Sequence, residues 1–399
     1  MKRVLFLILA SFAAVTSFAA DNLYLGDVTV AQGKSALVAI NMTSEEKSYR
    51  GFQFMLTLPE GFEATEVVKA DRTPDGFSLE VRKQSTIGKF QVLVYNTSGM
   101  SFNGTEGAVA YINITAAAST ALGEYQGSIA DVTMSTDQSF YFDESSFKIT
   151  VTDKVVLDEV STAPPVATGG PVDILVKRSI KANQWSTLCL PFDMTKAQVE
   201  EVFGSDVKIA FFDKEIKPVT VTGNPVESIE VEFTSYDFAA MDGMLYGCSP
   251  YLIRTSKDIS EFEVTSEIYI DEEYLTVEYT AGSRPKKTYG FYGKLAAGTV
   301  IPENGLFLSG NEFWYSTGKT VMKGFRGYFQ FTDVVPKSSS AKVTFNVDGE
   351  ATSIDGMNIK YAVDGVYDLS GRKIQLKDGD LNKLQKGVYI IDGKKVTIK

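Results

Sequence analysis

Large apolar residues alternate with other side chains along many short stretches of this chain, and each stretch ends in turn-forming residues. In the run Phe52–Leu58, for example, every second residue is a large apolar one, and Pro59-Glu60-Gly61 follows directly. Successive side chains of a β-strand point to opposite faces, so a period of two buries one set and exposes the other. The pattern therefore predicts an all-β protein.

Changes in composition along the 399 residues divide the chain into a leader, two domains, a linker and a tail. Residues 20–153 contain about nine short predicted strands, which is typical of a β-sandwich or jelly roll. Residues 154–173 include Pro164-Pro165 and Gly169-Gly170 among small residues, and we expect a linker there. Residues 174–348 are predicted to form a second β-rich domain, and residues 349–399 a small C-terminal β-hairpin unit.

One short helix is predicted inside the second domain. Thr195 is a good N-cap residue, and Gln198 three positions later completes a capping box. Val199, Val202 and Phe203 then fall on one helical face.

The first nineteen residues have the composition of a secretory signal peptide. Lys2-Arg3 precede the apolar run Val4–Ala14, and Ser17-Phe18-Ala19 provides a small-x-small cleavage site. No later stretch approaches the length of a transmembrane helix. We therefore predict a secreted protein located at the outer cell surface, without a transmembrane span.

Charge and composition exclude several classes of function. The chain carries 39 basic and 50 acidic residues, a net charge of −11, so nucleic acid is not expected as a partner. Histidine is absent, which excludes Ser-His-Asp and Cys-His catalysis and zinc sites with histidine ligands. A carboxylate-dependent glycosidase remains possible on composition, but the run Asp271-Glu272-Glu273 is better interpreted as a turn or charged strand edge. We predict no catalytic residues, no cofactor and no enzymatic activity.

The segment that most resembles a metal-binding motif lies in the tail. Asp378, Asp380 and Asn382 match the first oxygen ligands of a calcium-binding loop. The sixth position is Lys383 instead of glycine, and the twelfth is Tyr389 instead of glutamate. A solvated turn is the better interpretation, and we predict no metal site.

The chain has two cysteines, Cys189 and Cys248. In an exported protein they can form one disulfide across a long loop. The alternative is two separate buried thiols that behave as small apolar residues. Spacing alone does not decide between the two.

Aromatic residues cluster at two places in the second domain, and two interpretations apply to them. The clusters are Tyr289, Phe291 and Tyr292 in one predicted strand, and Trp314-Tyr315 in another. Exposed rings bind sugars by stacking. The favoured interpretation is that these rings fill the core of a β domain.

The beginning of the first domain resembles a known family. The segment Gly26–Phe62, with the turn "VAQG" and the strand "GFQFMLTLPEGF", is similar to the opening of cohesin-like domains. Cohesins are nine-stranded sandwiches related to certain carbohydrate-binding modules. The resemblance implies a non-catalytic module that binds a dockerin or a glycan.

The second domain and the tail resemble parts of exported Bacteroidetes proteins. The runs Trp185–Gly204, Ser249–Arg254 and Gly324–Phe331 are similar to a recurring domain without an established activity. The tail resembles the sorting tails of type IX secretion cargo, which implies that the export machinery is a partner. The matching residues are Tyr367, Gly371, Arg372, Gly387, Tyr389, Gly393, Lys394 and Lys395.

Two hairpins are predicted within the tail. Ser370-Gly371 separates VYDL from RKI, and Asp392-Gly393 joins GVYII to KKVTIK. Asp-Gly between apolar runs is a strong signal for a two-residue β-hairpin turn.

Taken together, these patterns predict a non-enzymatic surface protein whose first domain binds a polysaccharide or an extracellular protein module. A structural adhesin that assembles through strand edges is the main alternative. A glycosidase that uses two carboxylates is the second alternative.

Overall fold

The computed structural model describes residues 21–45, 47–223, 228–282, 286–332, 334, 342–348, 350–351, 360–361, 366–367, 373–374, 387–391 and 394–398. Nearly all of its regular structure is β, as predicted, with one α-helix among the described residues. The predicted signal peptide, residues 1–19, lies outside the described residues.

The first domain is a two-sheet sandwich. Its described residues form β1 (Asn22–Leu25), β2 (Val28–Ala31), β3 (Ser35–Thr43), β4 (Gly51–Thr57), β5 (Phe62–Lys69), β6 (Ser78–Lys83), β7 (Lys89–Tyr95), β8 (Ala108–Ala116), β9 (Gly123–Ser135), β10 (Ser139–Phe142) and β11 (Ser145–Thr152). The small sheet has the order β1-β3-β8-β5. The large sheet has the order β2-β11-β9-β4-β7-β6, and β10 pairs with β9.

This domain contains eleven strands where about nine were expected. One reason is that the first extended segment changes sheets: β1 pairs with β3, whereas β2 pairs in parallel with β11. The change occurs at Gly26-Asp27, where the amide of Gly26 still donates to the carbonyl of Ala39 at 2.9 Å. The second reason is the short strand β10.

Alternation places the core as predicted. Phe52, Phe54 and Leu56 of β4 are at most 2% exposed and face Ile112 and Ile114 of the opposite sheet, both 0% exposed, within one apolar cluster. Burial of these side chains is the main force that holds the two sheets together.

The second domain follows from β12 (Val155–Asp158). Its other elements are β13 (Val172–Ile180), β14 (Trp185–Leu188), β15 (Met194–Thr195), α1 (Lys196–Phe203), β16 (Lys208–Phe211), a 3₁₀ turn (Lys214–Ile216), β17 (Val219–Thr222), β18 (Ser228–Ser235), β19 (Met244–Leu245), β20 (Tyr251–Arg254), β21 (Ile259–Ser266), β22 (Thr276–Ala281), β23 (Lys287–Lys294), β24 (Thr299–Val300), β25 (Leu306–Ser309), β26 (Glu312–Tyr315), β27 (Val321–Met322), β28 (Arg326–Thr332), β29 (Lys342–Val347), β30 (Glu350–Ala351) and β31 (Lys360–Tyr361).

These strands form three main sheets. Their orders are β12-β13-β21, then β14-β20-β16-β18-β29-β30 with β17 beside β18, and β22-β23-β28-β25-β26-β31. Strand β29 runs parallel to β18 and places Phe345, 1% exposed, in the core. The helix is as predicted: Thr195 and Gln198 form the capping box, and Val199 and Phe203 are buried.

The predicted linker needs a correction. Residues Val155–Asp158 form β12, which pairs in parallel with β13, and Leu157 is 5% exposed. The expectation of a segment without packed elements is wrong here, because the backbone finds a strand partner and Leu157 a place in the apolar core. The part that follows, Glu159–Thr168, contains Pro164-Pro165 and has no strand, and we call it the strap.

The predicted tail boundary at residue 349 also moves. Strand β30 pairs with β29, and β31 pairs in parallel with β26, so both belong to sheets of the second domain. The separate tail sheet consists of β32 (Val366–Tyr367), β33 (Lys373–Ile374), β34 (Gly387–Ile391) and β35 (Lys394–Ile398). The pairs β32-β33 and β34-β35 are the two predicted hairpins, and β32 joins them by pairing with β34.

Candidate interaction face of the N-terminal sandwich

Each sheet of the sandwich has an outer face, and the two faces differ in what covers them. On the small sheet, the strap lies against β3 and β8. The hydroxyl of Tyr111 donates to the carbonyl of Thr162 at 2.9 Å, and Ala39, which points outward from β3, is only 8% exposed. Burial raises the pKa of Tyr111 to about 12, so its hydroxyl remains a donor. The β3 and β8 part of this face is therefore covered by the chain itself.

A groove of about 360 Å³ remains between the strap and strands β2 and β3. Its walls include Asp27, Asn41 and Thr162. The side chain of Asp27 accepts a hydrogen bond from the amide of Lys148 at 2.8 Å, which connects the groove wall to β11. The groove follows the junction between the two domains.

The outer face of the large sheet carries side chains arranged in cross-strand rows. One row runs from β6 to β10 through Glu80, Leu93, Gln53, Thr133 and Tyr141, each residue opposite the next in the register. Tyr141 is 81% exposed, and Gln53 is exposed beside the half-buried Leu93. We call the outer surface of β6, β7, β4, β9 and β10 the open face.

The row through Leu93 and Gln53 is uncharged in its middle and charged at its β6 end. Leu93, Gln53 and Thr133 occupy the centre of their row, whereas Glu80 and Arg82 form an ion pair on the edge strand β6. Five strands at about 4.8 Å spacing span roughly 19 Å. An uncharged centre with a charged rim is the composition that protein interfaces have.

The two tyrosine rings on this face are far apart. Tyr95 lies in the row that contains Gly51 and Ser135, whereas Tyr141 lies in the neighbouring row. They stand on β7 and β10, three strand spacings apart, which is roughly 14 Å. This separation does not form a continuous stacking platform for one sugar ring.

The predicted aromatic clusters of the second domain lie mainly in its core. Tyr289, Phe291 and Tyr315 are at most 4% exposed, which confirms the core interpretation for them. Tyr292 stacks on Tyr328 at a centroid distance of 5.3 Å and donates a 2.6 Å hydrogen bond to Glu278. Trp314 is half-buried, and its indole N–H donates to the carbonyl of Ser309.

Cys189 and Cys248 are free thiols in the structure, and both are 0% exposed. The amide of Cys248 donates to the carbonyl of Leu190 at 2.6 Å, so the two cysteine segments are neighbours. Burial raises the pKa of both thiols above the ordinary value. The disulfide stays a prediction that peptide mass spectrometry under non-reducing conditions can test.

The carboxylate run Asp271-Glu272-Glu273 lies in a turn. Asp271 accepts the amide of Glu273 at 3.1 Å within a turn, as expected, and the amide of Asp271 donates to the Sγ of Cys248. Across the described ranges, no group of three or more Cys, Asp or Glu side chains is arranged to hold a metal ion. In the same ranges, no helix is long and apolar enough to cross a membrane.

The tail residues predicted to act in sorting are placed in part. Tyr367, Gly387, Tyr389, Lys394 and Lys395 lie on strands of the tail sheet. Gly371, Arg372 and Gly393 lie outside the described residues, as does the rejected calcium loop except for its last three residues, Gly387–Tyr389.

Sequence reasoning missed a buried ion cluster at the start of the strap. Arg178 is 0% exposed and Glu159 is 5% exposed, and their charged atoms lie 3.5 Å apart. The alternation of Ile174, Val176 and Ile180 along β13 places Arg178 on the buried face. An arginine at a buried position of an otherwise apolar row is the sequence signal from which the cluster could have been predicted.

No family model matches this chain, and no curated protein matches it. Several solved cohesin structures are similar to its N-terminal third. The sixth cohesin of scaffoldin B from Acetivibrio cellulolyticus, solved in complex with a Cel5 dockerin, has 18% identity and a TM-score of 0.30, covering 33% of this chain and 99% of that one.

Two further cohesins show similar values. A type I cohesin from Pseudobacteroides cellulosolvens has 21% identity and a TM-score of 0.28, covering 33% of this chain and 92% of that one. A non-cellulosomal cohesin from the archaeon Archaeoglobus fulgidus has 13% identity and a TM-score of 0.26, covering 33% and 91%.

Proposed function

We propose that this chain is an exported, non-enzymatic binding protein whose N-terminal sandwich binds an extracellular protein module on the open face. The observation that carries the proposal is the difference between the two outer faces. The strap covers β3 and β8 of the small sheet, whereas Tyr141 and Gln53 on the large sheet are exposed. The outer surface of the large sheet is therefore a broad β face that the strap does not cover.

The chemistry of the open face favours a protein over a polysaccharide. The row across its centre offers apolar contact at the half-buried Leu93 and hydrogen bonds at the exposed Gln53. The rings of Tyr95 and Tyr141 are too far apart to stack on one sugar, although each could contact a larger ligand. A protein module matches the spread of these contacts over roughly 19 Å.

In this proposal the second domain is a scaffold and the tail directs export. The cohesin resemblance of Gly26–Phe62 supports a dockerin-like partner, and the tail resemblance supports surface display. Polysaccharide remains the second candidate ligand, because Tyr141 is 81% exposed.

A binding screen tests the proposal. Purified protein comprising residues 20–399 is passed over immobilised dockerin modules and, separately, over immobilised plant and host polysaccharides. We expect saturable binding to a protein module that is lost in Leu93→Asp, which introduces a charge at the centre of the open face. Val68→Asp is the matched control, since Val68 is a half-buried residue of β5 opposite Tyr111 on the small sheet.

Three outcomes are informative. Binding to a protein module that Leu93→Asp abolishes and Val68→Asp preserves supports the proposal. Binding to a polysaccharide and to no protein module would identify the ligand as a glycan and contradict the protein partner. Binding that neither variant changes removes the open face as the site.

A further inference from the structure

The strap, Glu159–Thr168, is bonded to both domains. On the side of the second domain, the carbonyl of Ser161 accepts the amide of Ala297 at 2.7 Å, and the amide of Thr168 donates to the carbonyl of Ile268 at 3.0 Å. On the side of the first domain, the carbonyl of Thr162 accepts the Tyr111 hydroxyl. A flexible linker would leave these backbone groups to water, so the strap is a structural connection.

A second bond to the first domain lies at the far end of the strap. The Nζ of Lys34 donates to the carbonyl of Thr168 at 3.4 Å. Lys34 belongs to the turn between β2 and β3, and Tyr111 belongs to β8. The strap therefore contacts two separate parts of the sandwich.

The strap begins at a carboxylate that is surrounded by three cations. Glu159 accepts a 2.9 Å hydrogen bond from Lys323 and a 2.7 Å hydrogen bond from Arg326, and lies 3.5 Å from Arg178. Its backbone is fixed as well, because its carbonyl accepts the amide of Gly324 at 2.8 Å. Glu159 thereby joins the strap to β13 and to the segment that enters β28.

Arg178 makes this cluster sensitive to the charge of Glu159. Its guanidinium donates to the carbonyls of Phe325, Ser179 and Thr187 and to the hydroxyl of Ser186. Its charge is nevertheless fully buried. Among the described residues, Glu159 is the one carboxylate within ion-pair distance of Arg178. Removing the negative charge leaves the buried charge of Arg178 without compensation, which is strongly unfavourable.

We infer that the strap is a latch that holds the two domains in one fixed orientation, and that the Glu159 cluster is its acid-sensitive fastening. The orientation keeps β3 and β8 covered and leaves the open face directed to solvent. The inference does not depend on which ligand the open face binds.

The direction of the pH dependence follows from the groups that face Glu159. Burial raises the pKa of this carboxyl, but the hydrogen bond from Lys323 and the charges of Arg326 and Arg178 outweigh it and lower the pKa below the ordinary value. A lowered pKa contributes stability above the unfolded value, about 4.3. That contribution is lost as the pH falls through the folded value. The latch is closed at neutral pH and opens in acid.

Interdomain distance measurement tests the latch. Spin labels are placed on introduced cysteines at Thr86→Cys and Glu272→Cys, both exposed positions, in the protein comprising residues 20–399. The native thiols, Cys189 and Cys248, are 0% exposed and escape labelling in the folded protein. The distance distribution is recorded at pH 7 for the labelled parent, for Glu159→Gln, and for Glu263→Gln as the control.

Glu263→Gln is a matched control, because Glu263 is paired with Lys154 on an exposed part of β21, and exposed pairs contribute little. We expect a narrow distribution for the parent and the control, and a broad one for Glu159→Gln with an unchanged far-UV circular dichroism spectrum. Protease cleavage within the strap should accelerate at least about tenfold in Glu159→Gln alone.

A broad distribution in the parent protein at pH 7 would overturn the fixed orientation. A narrow distribution in Glu159→Gln would overturn the role of the cluster. If Glu159→Gln unfolds, Tyr111→Phe tests the strap without disturbing the ion cluster, since it removes one hydrogen bond between the strap and the first domain. A narrow distribution in a folded Tyr111→Phe/Lys34→Ala variant would likewise contradict the latch.

Discussion

Phe345 gives a sharp test of how the C-terminal part of the second domain is built. It is 1% exposed on β29, and its ring lies 5.3 Å from Phe313, 6.0 Å from Phe233 and 6.2 Å from Trp185 between ring centroids. Replacing a buried phenylalanine with alanine typically costs about 3–5 kcal/mol. Three aromatic neighbours and complete burial favour the upper half of that range, about 4–5 kcal/mol.

Tryptophan fluorescence during urea unfolding measures this effect in the second domain alone. The chain has two tryptophans, Trp185 and Trp314, and both lie in the second domain. For a domain of this size, about 4 kcal/mol corresponds to a fall in melting temperature of roughly 8–16 °C. Thr344→Ala, the neighbouring position on β29, is the control and should change stability by less than about 1 kcal/mol.

If Phe345→Ala matched Thr344→Ala in the urea midpoint, β29 would not complete the second domain. The core position of Phe345 and the parallel pairing of β29 with β18 would then both be wrong. A loss confined to the first domain, seen by calorimetry without a change in tryptophan fluorescence, would refute the same reasoning.

Three further predictions concern other parts of the chain. Gly127→Ala should destabilise the first domain by about 1–3 kcal/mol in calorimetry, because the new Cβ would lie against the buried ring of Phe147; an unchanged transition would contradict this packing. Thr195→Ala removes the helix cap and should cost about 0.5–2 kcal/mol by urea unfolding, whereas Thr195→Ser should restore most of it. The parent should lose more stability than Glu159→Gln between pH 5 and pH 3, since the pKa of Glu159 is lowered in the folded protein; parallel stability curves would count against the ion cluster.

Local sequence patterns were sufficient to predict the strands and the helix cap. A period of two follows directly from strand geometry, so the buried residues of β4 and β8 were readable from the sequence. The capping box at Thr195 and Gln198 could also be predicted, because it depends on two residues only three positions apart in the sequence. Local patterns suffice where the stabilising contacts are local.

The strap and the open face could not be predicted, because both depend on contacts between distant parts of the chain. Pro164-Pro165 and Gly169-Gly170 indicate a linker by composition, whereas the bonds from Tyr111 and Lys34 that fix the segment come from another domain. Both sheets of the sandwich have alternating residues outside, so the sequence does not distinguish a covered face from an open one. The cohesin resemblance implied a binding module without indicating its face.

Affinity for a purified dockerin module, measured for the parent, Leu93→Asp and Val68→Asp, tests the central claim most directly. The protein comprises residues 20–399, and circular dichroism confirms that each variant is folded. We predict that Leu93→Asp weakens binding at least about a hundredfold, since a charge enters the centre of the contact, while Val68→Asp stays within about twofold of the parent. Equal affinities in all three, or a selective loss in Val68→Asp, would contradict the open face as the binding site.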